Sequence, residues 1–190
     1  MNYGEELAYW YLRFNGFFPL TDYVFHRDIA NPSASDCDLL AIRHPFTKEP
    51  IGGQQDDWDP ALRSTFQNWD NNTLAIICEV KTGGIENIFP TNNIDRAVDR
   101  LGLFQDANPA KMRLASYKSH CESNFEINKL LIADQSNSRR NYTSFISLSH
   151  ALDFLEQRID KYLDTKFADR HFFNSSLLQQ IIWQVRRANR

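Results

Sequence analysis

The chain has 190 residues with 42% hydrophobic and 13% aromatic content, enough for one domain with a well-filled core, so we expect a single domain over residues 1–190. Its net charge of −3 gives no general attraction for nucleic acid and argues against a protein that coats DNA nonspecifically. No apolar run approaches the roughly 20 residues of a membrane span, the N-terminal residues do not resemble a signal peptide, and the three cysteines include no CxxC pair. We therefore expect a cytoplasmic protein that does not contact membranes.

The first third of the chain predicts one helix followed by a hairpin of two strands. Apolar residues at spacings of three and four indicate a helix over residues 3–15, which ends before Gly16. Residues 22–29 and 36–44 are typical of strands, and the turn-forming sequence ANPSAS joins them. From 44 to 73 the sequence is polar and irregular, so we interpret this range as an insertion between core strands that includes a short helix near 60–69.

The remainder predicts a central strand and then a mixture of helices and strands. Residues 73–82 are almost all apolar up to Glu79, as expected of a strand buried on both faces. Helices are predicted at 92–107, 109–120, 149–164 and 175–190, the last within a C-terminal helical extension over 165–190, and strands are predicted at 126–134 and 141–148. This order predicts an α/β fold with a mixed central sheet flanked by helices.

Charged side chains follow the apolar part of the central strand. Because side chains alternate along a strand, Glu79 and Lys81 lie on one face. Asp36 and Asp38 also share a face of the upstream strand, so pairing of the two strands could bring a carboxylate of one to the carboxylate of the other. The alternative is that the strand simply emerges into solvent and that its two charges are ordinary edge residues.

Carboxylates gathered at strand ends indicate a cation among them. Mg²⁺ or Mn²⁺ takes oxygen ligands and keeps several waters, so two or three acidic side chains are a sufficient protein contribution. Such an ion can acidify a water and neutralise charge on a phosphate, and an ammonium group such as Lys81 can stabilise the same charge. Gly83 and Gly84 would leave room for a bulky ligand. The pattern therefore favours a phosphodiesterase site.

Three segments, GEELAYWYL, SDCDLLAI and CEVKTGG, set in a predicted αβββαβ order, resemble the PD-(D/E)xK nuclease superfamily and its restriction-endonuclease-like fold. They are also similar to the opening of its Holliday-junction-resolvase-like branch. The resemblance covers residues 3–155. It implies metal-dependent hydrolysis of phosphodiester bonds in nucleic acid, with DNA as the expected substrate and repair or restriction as the expected setting.

The resemblance assigns roles to four side chains and one backbone group. It implies that Asp38 and Glu79 bind the metal ion, joined by the backbone carbonyl of Val80. Lys81 would assist the attacking water, and Glu5 would support the site from the first helix.

Two features depart from the pattern of the superfamily. Cys37 stands before Asp38 where a proline is common, and Asp36 remains an alternative ligand to Asp38. The insertion at 44–73 also makes the gap between Asp38 and Glu79 longer than in small resolvase-like proteins.

Basic residues outside this motif have weaker signals. Arg96 and Arg100, four apart on the helix after the glycines, are candidate phosphate contacts, with a solvated helix face as the alternative. The C-terminal arginines would contact DNA only if a homodimer brought the chain ends together. Two other functions stay open, namely a catalytically inactive nucleic-acid-binding or regulatory protein on the same fold, and an α/β domain whose motif arose by chance.

Overall fold

The computed structural model describes residues 2–25, 35–84, 89–134, 142–168 and 174–189, and it is an α/β structure with a mixed six-stranded sheet flanked by helices. The helices are α1 (Tyr3–Phe14), α2 (Pro60–Arg63), α3 (Thr91–Leu101), α4 (Asn108–Leu114), α5 (Leu148–Lys161) and α6 (Ser176–Ala188). The strands are β1 (Phe18–Phe25), β2 (Ser35–Arg43), β3 (Thr73–Lys81), β4 (Ser119–Glu122), β5 (Phe125–Ala133) and β6 (Ser144–Ser147). Across these described ranges, no helix is long and apolar enough to cross a bilayer.

The sheet combines an antiparallel meander with parallel crossovers. Strands β1, β2 and β3 pair antiparallel in chain order, and β3 then pairs parallel with β5. The other edge of β5 is shared, because β4 pairs antiparallel with its first half and β6 pairs parallel with its second half. The mixed sheet predicted from the order of elements is therefore confirmed.

Strand β3 lies at the centre and is covered on both faces. Leu74, Ile76 and Cys78 point into a core formed with α1, α5 and α6, whereas Ala75 and Ile77 point into a second core formed with α3 and α4. Each fully buried aliphatic side chain contributes about 1.5–3 kcal/mol, so this strand carries much of the hydrophobic stabilisation. The prediction of a doubly buried strand at 73–82 is confirmed.

The segment between β2 and β3 forms part of the core. Its apolar side chains Trp58, Leu62, Phe66 and Trp69 are buried in the same cluster as those of α1. The buried Asp57 carboxylate ties the segment to α5 by accepting hydrogen bonds from Lys161 Nζ and Tyr162 Oη, at 2.8 Å each. Helix α6 likewise buries its apolar face in this cluster.

Several predicted boundaries differ from the structure. Strand β1 begins at Phe18 rather than at residue 22, and its predicted end falls in 26–34, outside the described residues. Helix α3 ends at Leu101 rather than 107, because Gly102 adopts a left-handed conformation with φ of 62°. The next helix ends at Leu114 rather than 120, and β4, which was not predicted, follows it. Part of the strand predicted at 141–148 also lies outside the described residues.

Lys129 on β5 is a fully buried lysine. Its Nζ donates a hydrogen bond of 2.5 Å to the carbonyl oxygen of Leu114 and lies 3.3 Å from the centroid of the Tyr142 ring. Burial lowers the pKa of Lys129 to about 7. An unfolded lysine keeps its proton up to about pH 10, so between about pH 7 and pH 10 the unfolded chain binds more protons than the folded one. Stability from this group therefore rises with pH across that window.

Replacing Lys129 with methionine should remove this pH dependence. Relative to Lys129→Met, the wild-type free energy of unfolding should rise with pH above about 7, by at most about 1.4 kcal/mol per pH unit. Urea denaturation at several pH values measures the difference. Lys118→Met, at an exposed lysine, is the matched control and should follow the wild type. Equal slopes in the wild type and in Lys129→Met would contradict the assignment.

Candidate active site at the ends of β2 and β3

The ladder between β2 and β3 ends at the pair Leu39–Cys78, directly before the charged residues of both strands. Strand β2 goes on pairing with β1 beyond this point. Asp38 lies one residue before Leu39, and its carboxylate accepts a hydrogen bond that a backbone carbonyl of β2 would accept if the ladder continued. Its Oδ2 accepts a hydrogen bond of 2.7 Å from the backbone N–H of Val80. This bond fixes the Asp38 side chain against the end of β3.

Lys81 joins the two carboxylates at this end of the sheet. Its Nζ donates to Glu79 Oε2 at 3.0 Å and lies 3.8 Å from Asp38 Oδ2. The Glu79 side chain is 8% exposed, that of Asp38 15% and that of Lys81 28%, so the cluster is only partly screened by water. The structure thus brings Asp38, Glu79 and Lys81 together, with one ammonium group beside both carboxylates.

The backbone of Val80 also faces this cluster. In a strand, the N–H and C=O of one residue point to the same side, as the paired bonds of an antiparallel ladder show. Since the Val80 N–H is directed at Asp38, its carbonyl oxygen is directed to the β2 side as well. The site therefore offers two carboxylates and one carbonyl, all of them oxygen donors.

Two buried thiols lie beside the carboxylates of the site, and both have a raised pKa. Burial, followed by the charges of Glu79 and Asp38, raises the pKa of the Cys37 thiol. Burial and the same carboxylates also raise the pKa of Cys78 well above its usual value. Both cysteines therefore stay protonated at neutral pH and are unsuited to act as nucleophiles. Cys37 stands where a proline is common in the superfamily. Its Sγ lies 3.3 Å from the carbonyl oxygen of Leu39.

Glu5 lies in the first turn of α1, where it forms a capping box with Asn2. Its carboxylate accepts a hydrogen bond from the Asn2 backbone N–H at 2.8 Å, while the Glu5 N–H donates to Asn2 Oδ1 at 3.1 Å. Helix α1 covers the face of the sheet to which Val80 points. By strand alternation, α1 therefore lies on the sheet face opposite to Glu79 and Lys81.

Gly4, which belongs to the sequence motif GEELAYWYL, lies where the start of α1 packs on the end of β3. A Cβ at Gly4 would lie 2.7 Å from Cγ2 of Thr82 and 3.1 Å from Cγ1 of Val80. A larger residue would force the Thr82 side chain to shift, so glycine favours the close packing of the start of α1 on the end of β3. By contrast, a Cβ at Gly83 or Gly84 would meet no described atom within 4 Å, so open space lies beside both glycines.

The two arginines considered for phosphate contact lie on α3, which packs on the face of the sheet shared by Glu79 and Lys81. Arg96 is partly buried, and Arg100 is exposed with its guanidinium carbon 5.3 Å from the centroid of the Tyr23 ring. The Asp36 side chain, considered as an alternative ligand, lies outside the described part of the structure.

Among the described residues, no group of three or more His, Cys, Asp or Glu side chains is placed to hold a metal ion, and the Asp38–Glu79–Lys81 cluster contains two carboxylates. Comparisons of the chain with protein-family models, curated proteins and solved structures gave no match. Functional conclusions therefore depend on the site itself and on the sequence motif.

Removing the ammonium group should destabilise the fold because two partly buried carboxylates would lose a shared counter-charge. We expect Lys81→Met to lower the free energy of unfolding by about 1–2 kcal/mol, and the loss to shrink at high salt. Urea denaturation at low and high ionic strength measures both effects.

Lys111→Met is the matched control, because Lys111 pairs at 2.6 Å with a single, more exposed carboxylate, that of Asp99. This variant should lose no more than about 0.5 kcal/mol. An equal loss in both variants would show that Lys81 has no special role in balancing the carboxylates.

Proposed function

We propose that the chain is a metal-dependent nuclease with a restriction-endonuclease-like fold, and that it hydrolyses phosphodiester bonds in nucleic acid. One observation carries the proposal, the convergence of Asp38, Glu79 and Lys81 where two paired strands end. Two carboxylates that could hold a divalent cation, with an ammonium group beside both, are suited to phosphodiester hydrolysis.

The topology supports the finer assignment of fold. Helix α1 precedes an antiparallel β1–β2–β3 meander, and helices α3 and α4 then lead through the short strand β4 to β5, which pairs parallel with β3. Apart from α2 and β4, this order agrees with the αβββαβ order that the resemblance to PD-(D/E)xK nucleases implies. The candidate residues also occupy the positions implied by the motif, with Asp38 on the second strand and Glu79 and Lys81 on the third.

The donor set fits Mg²⁺ or Mn²⁺. Asp38 and Glu79 would supply carboxylate oxygens, and Val80 its backbone carbonyl oxygen, leaving the other positions of an octahedral ion to water. A bound ion of this kind lowers the pKa of a coordinated water and neutralises charge on the phosphate. The Val80 N–H holds Asp38 in place, which reduces the reorganisation needed for binding.

Lys81 would act on the reacting water and on the phosphate. A cation bound by the carboxylates would replace part of the charge that Lys81 supplies to Glu79 and Asp38. The ammonium group would then be able to donate hydrogen bonds to the attacking water or to a non-bridging phosphate oxygen, where negative charge develops.

DNA is the proposed substrate by resemblance, and its contacts must be local because the chain carries a net charge of −3. Arg96 and Arg100 on α3 are the proposed phosphate contacts. They lie on the helix that covers the sheet face of Glu79 and Lys81, and Arg100 is exposed. A sequence-independent contact of this kind would position the backbone without selecting a sequence.

Cleavage assays test the proposal. Supercoiled, linear, branched and single-stranded DNA, and RNA, are incubated with the protein in Mg²⁺ or Mn²⁺. We expect cleavage of at least one DNA substrate, abolished by EDTA and reduced at least about a hundredfold in Asp38→Asn, Glu79→Gln and Lys81→Ala. Asp38→Asn is chosen because the amide oxygen can still accept the hydrogen bond from Val80.

Lys118→Ala is the control, because it removes an exposed lysine that lies outside β2 and β3. This variant should cleave at the wild-type rate. Cleavage that persists equally in Asp38→Asn and Lys81→Ala would refute the assigned site. DNA binding without cleavage under all conditions would instead favour the inactive nucleic-acid-binding protein on the same fold.

A further inference from the structure

A pocket lies at the end of the β2–β3 ladder that is opposite to the Asp38–Glu79–Lys81 cluster. It has a volume of about 440 Å³, within the range of small-molecule sites, and its lining includes Arg43 at the end of β2 together with side chains of the segment that precedes β3. Arg43 is five residues from Asp38, roughly 17 Å along an extended strand. We call this cavity the Arg43 pocket; it is separate from the Asp38–Glu79–Lys81 cluster.

Arg43 is a buried cation that has no carboxylate partner among the described residues. The residue is 2% exposed, and its guanidinium carbon lies 5.1 Å from the ring centroid of Trp58 and 4.5 Å from that of Trp69. One nitrogen, Nη1, donates to the Trp69 carbonyl oxygen at 3.1 Å, whereas the buried Nε has no hydrogen-bond partner. Burial lowers the pKa of Arg43 to about 10, which shows how strongly its charge is desolvated.

The charges around the pocket favour an anion. Among the described residues, no carboxylate lies within ion-pair distance of Arg43; the Asp70 carboxylate also lines the pocket, where it is paired at 2.6 Å with Arg63. Lys48, an exposed lysine, lines the same pocket and adds a second positive charge. A phosphate in the pocket would supply the counter-charge that the protein does not provide.

The other lining groups favour a planar, hydrogen-bonding ring. Phe46 is 77% exposed at the pocket, and its φ of 63° is a conformation that non-glycine residues rarely adopt. Its exposed ring offers apolar surface on which a base can stack, whereas the Trp58 ring is 6% exposed and already packs against Arg43. Gln55 and Asn71 add exposed amides, and in the described part of the chain the Gln55 amide forms no hydrogen bond.

We propose that the Arg43 pocket binds a phosphorylated nucleotide, with the phosphate between Arg43 and Lys48 and the base against Phe46, where Gln55 can hydrogen-bond to its edge. The nucleotide is either free or the phosphorylated end of a strand, since both present the same groups. The site does not depend on the proposed nuclease reaction, because it shares no residue with the Asp38–Glu79–Lys81 cluster.

Calorimetric titration of the full chain in EDTA tests the pocket without interference from cleavage. The probes are nucleoside 5′-monophosphates, the matching nucleosides and inorganic phosphate. We expect saturable binding of at least one monophosphate, with the nucleoside and the phosphate alone each weaker by about tenfold or more. Binding should also weaken as salt rises, because one phosphate is neutralised by two basic groups.

Variants locate the binding. Lys48→Ala and Gln55→Ala change exposed side chains that the fold does not require, and each should weaken the monophosphate by about tenfold. Lys118→Ala is the matched control and should bind as the wild type does. No saturable binding up to about 5 mM, or binding unchanged in Lys48→Ala and Gln55→Ala, would overturn the proposal. Equal affinity for inorganic phosphate would also overturn it, because the pocket would then recognise only an anion.

A second arm separates the two sources of the nucleotide. A short oligonucleotide with a 5′-phosphate that binds as tightly as the monophosphate, and loses affinity without that phosphate, assigns the pocket to strand ends. Binding of the free monophosphate alone assigns it to a free nucleotide. Either result supports nucleotide recognition, and a failure here leaves the cleavage prediction for Asp38→Asn and Lys81→Ala independent.

Discussion

The double burial of β3 is the constraint on which the rest of the structure depends. All residues from Leu74 to Val80 are buried, and both faces of the strand are covered by helices. An unpaired charge within such a strand would be strongly destabilising. The charged groups of β2 and β3 lie at the two ends of their ladder, Arg43 at one and the Asp38–Glu79–Lys81 cluster at the other, whereas the neighbouring β5 carries the buried Lys129 within its length.

The two ends balance their charges by different means. At the end of β3, opposite charges meet directly, and the Lys81 ammonium group contacts Glu79 while lying close to Asp38. At the other end, Arg43 is stabilised by aromatic faces and one carbonyl oxygen rather than by a carboxylate. The first arrangement pairs one ammonium group with two carboxylates, whereas the second leaves a cation whose charge no described carboxylate pairs with.

Local patterns in the sequence predicted the elements that are strongly periodic or strongly apolar. Helix α1 and strand β3 were predicted to within about two residues because apolar spacing alone identifies them. Strand β4 was missed because Ser119–Glu122 is short, polar and partly exposed, and its strand conformation comes from pairing with β5. The end of α3 was placed too late because Gly102 was not interpreted as a left-handed C-terminal stop.

The candidate site was predictable in part because alternation along one strand and pairing with the next are both local rules. They place Asp38 beside Glu79 and Lys81, but they do not show that Glu5 is engaged by Asn2 or that Gly4 permits the close approach of α1. The Arg43 pocket was not predictable, since Trp58 and Trp69 reach Arg43 only after the segment between β2 and β3 has folded into the core. That segment was interpreted as an insertion outside the core strands. The segment is instead packed on the core. A side chain such as Trp58 therefore both stabilises the fold and lines the Arg43 pocket.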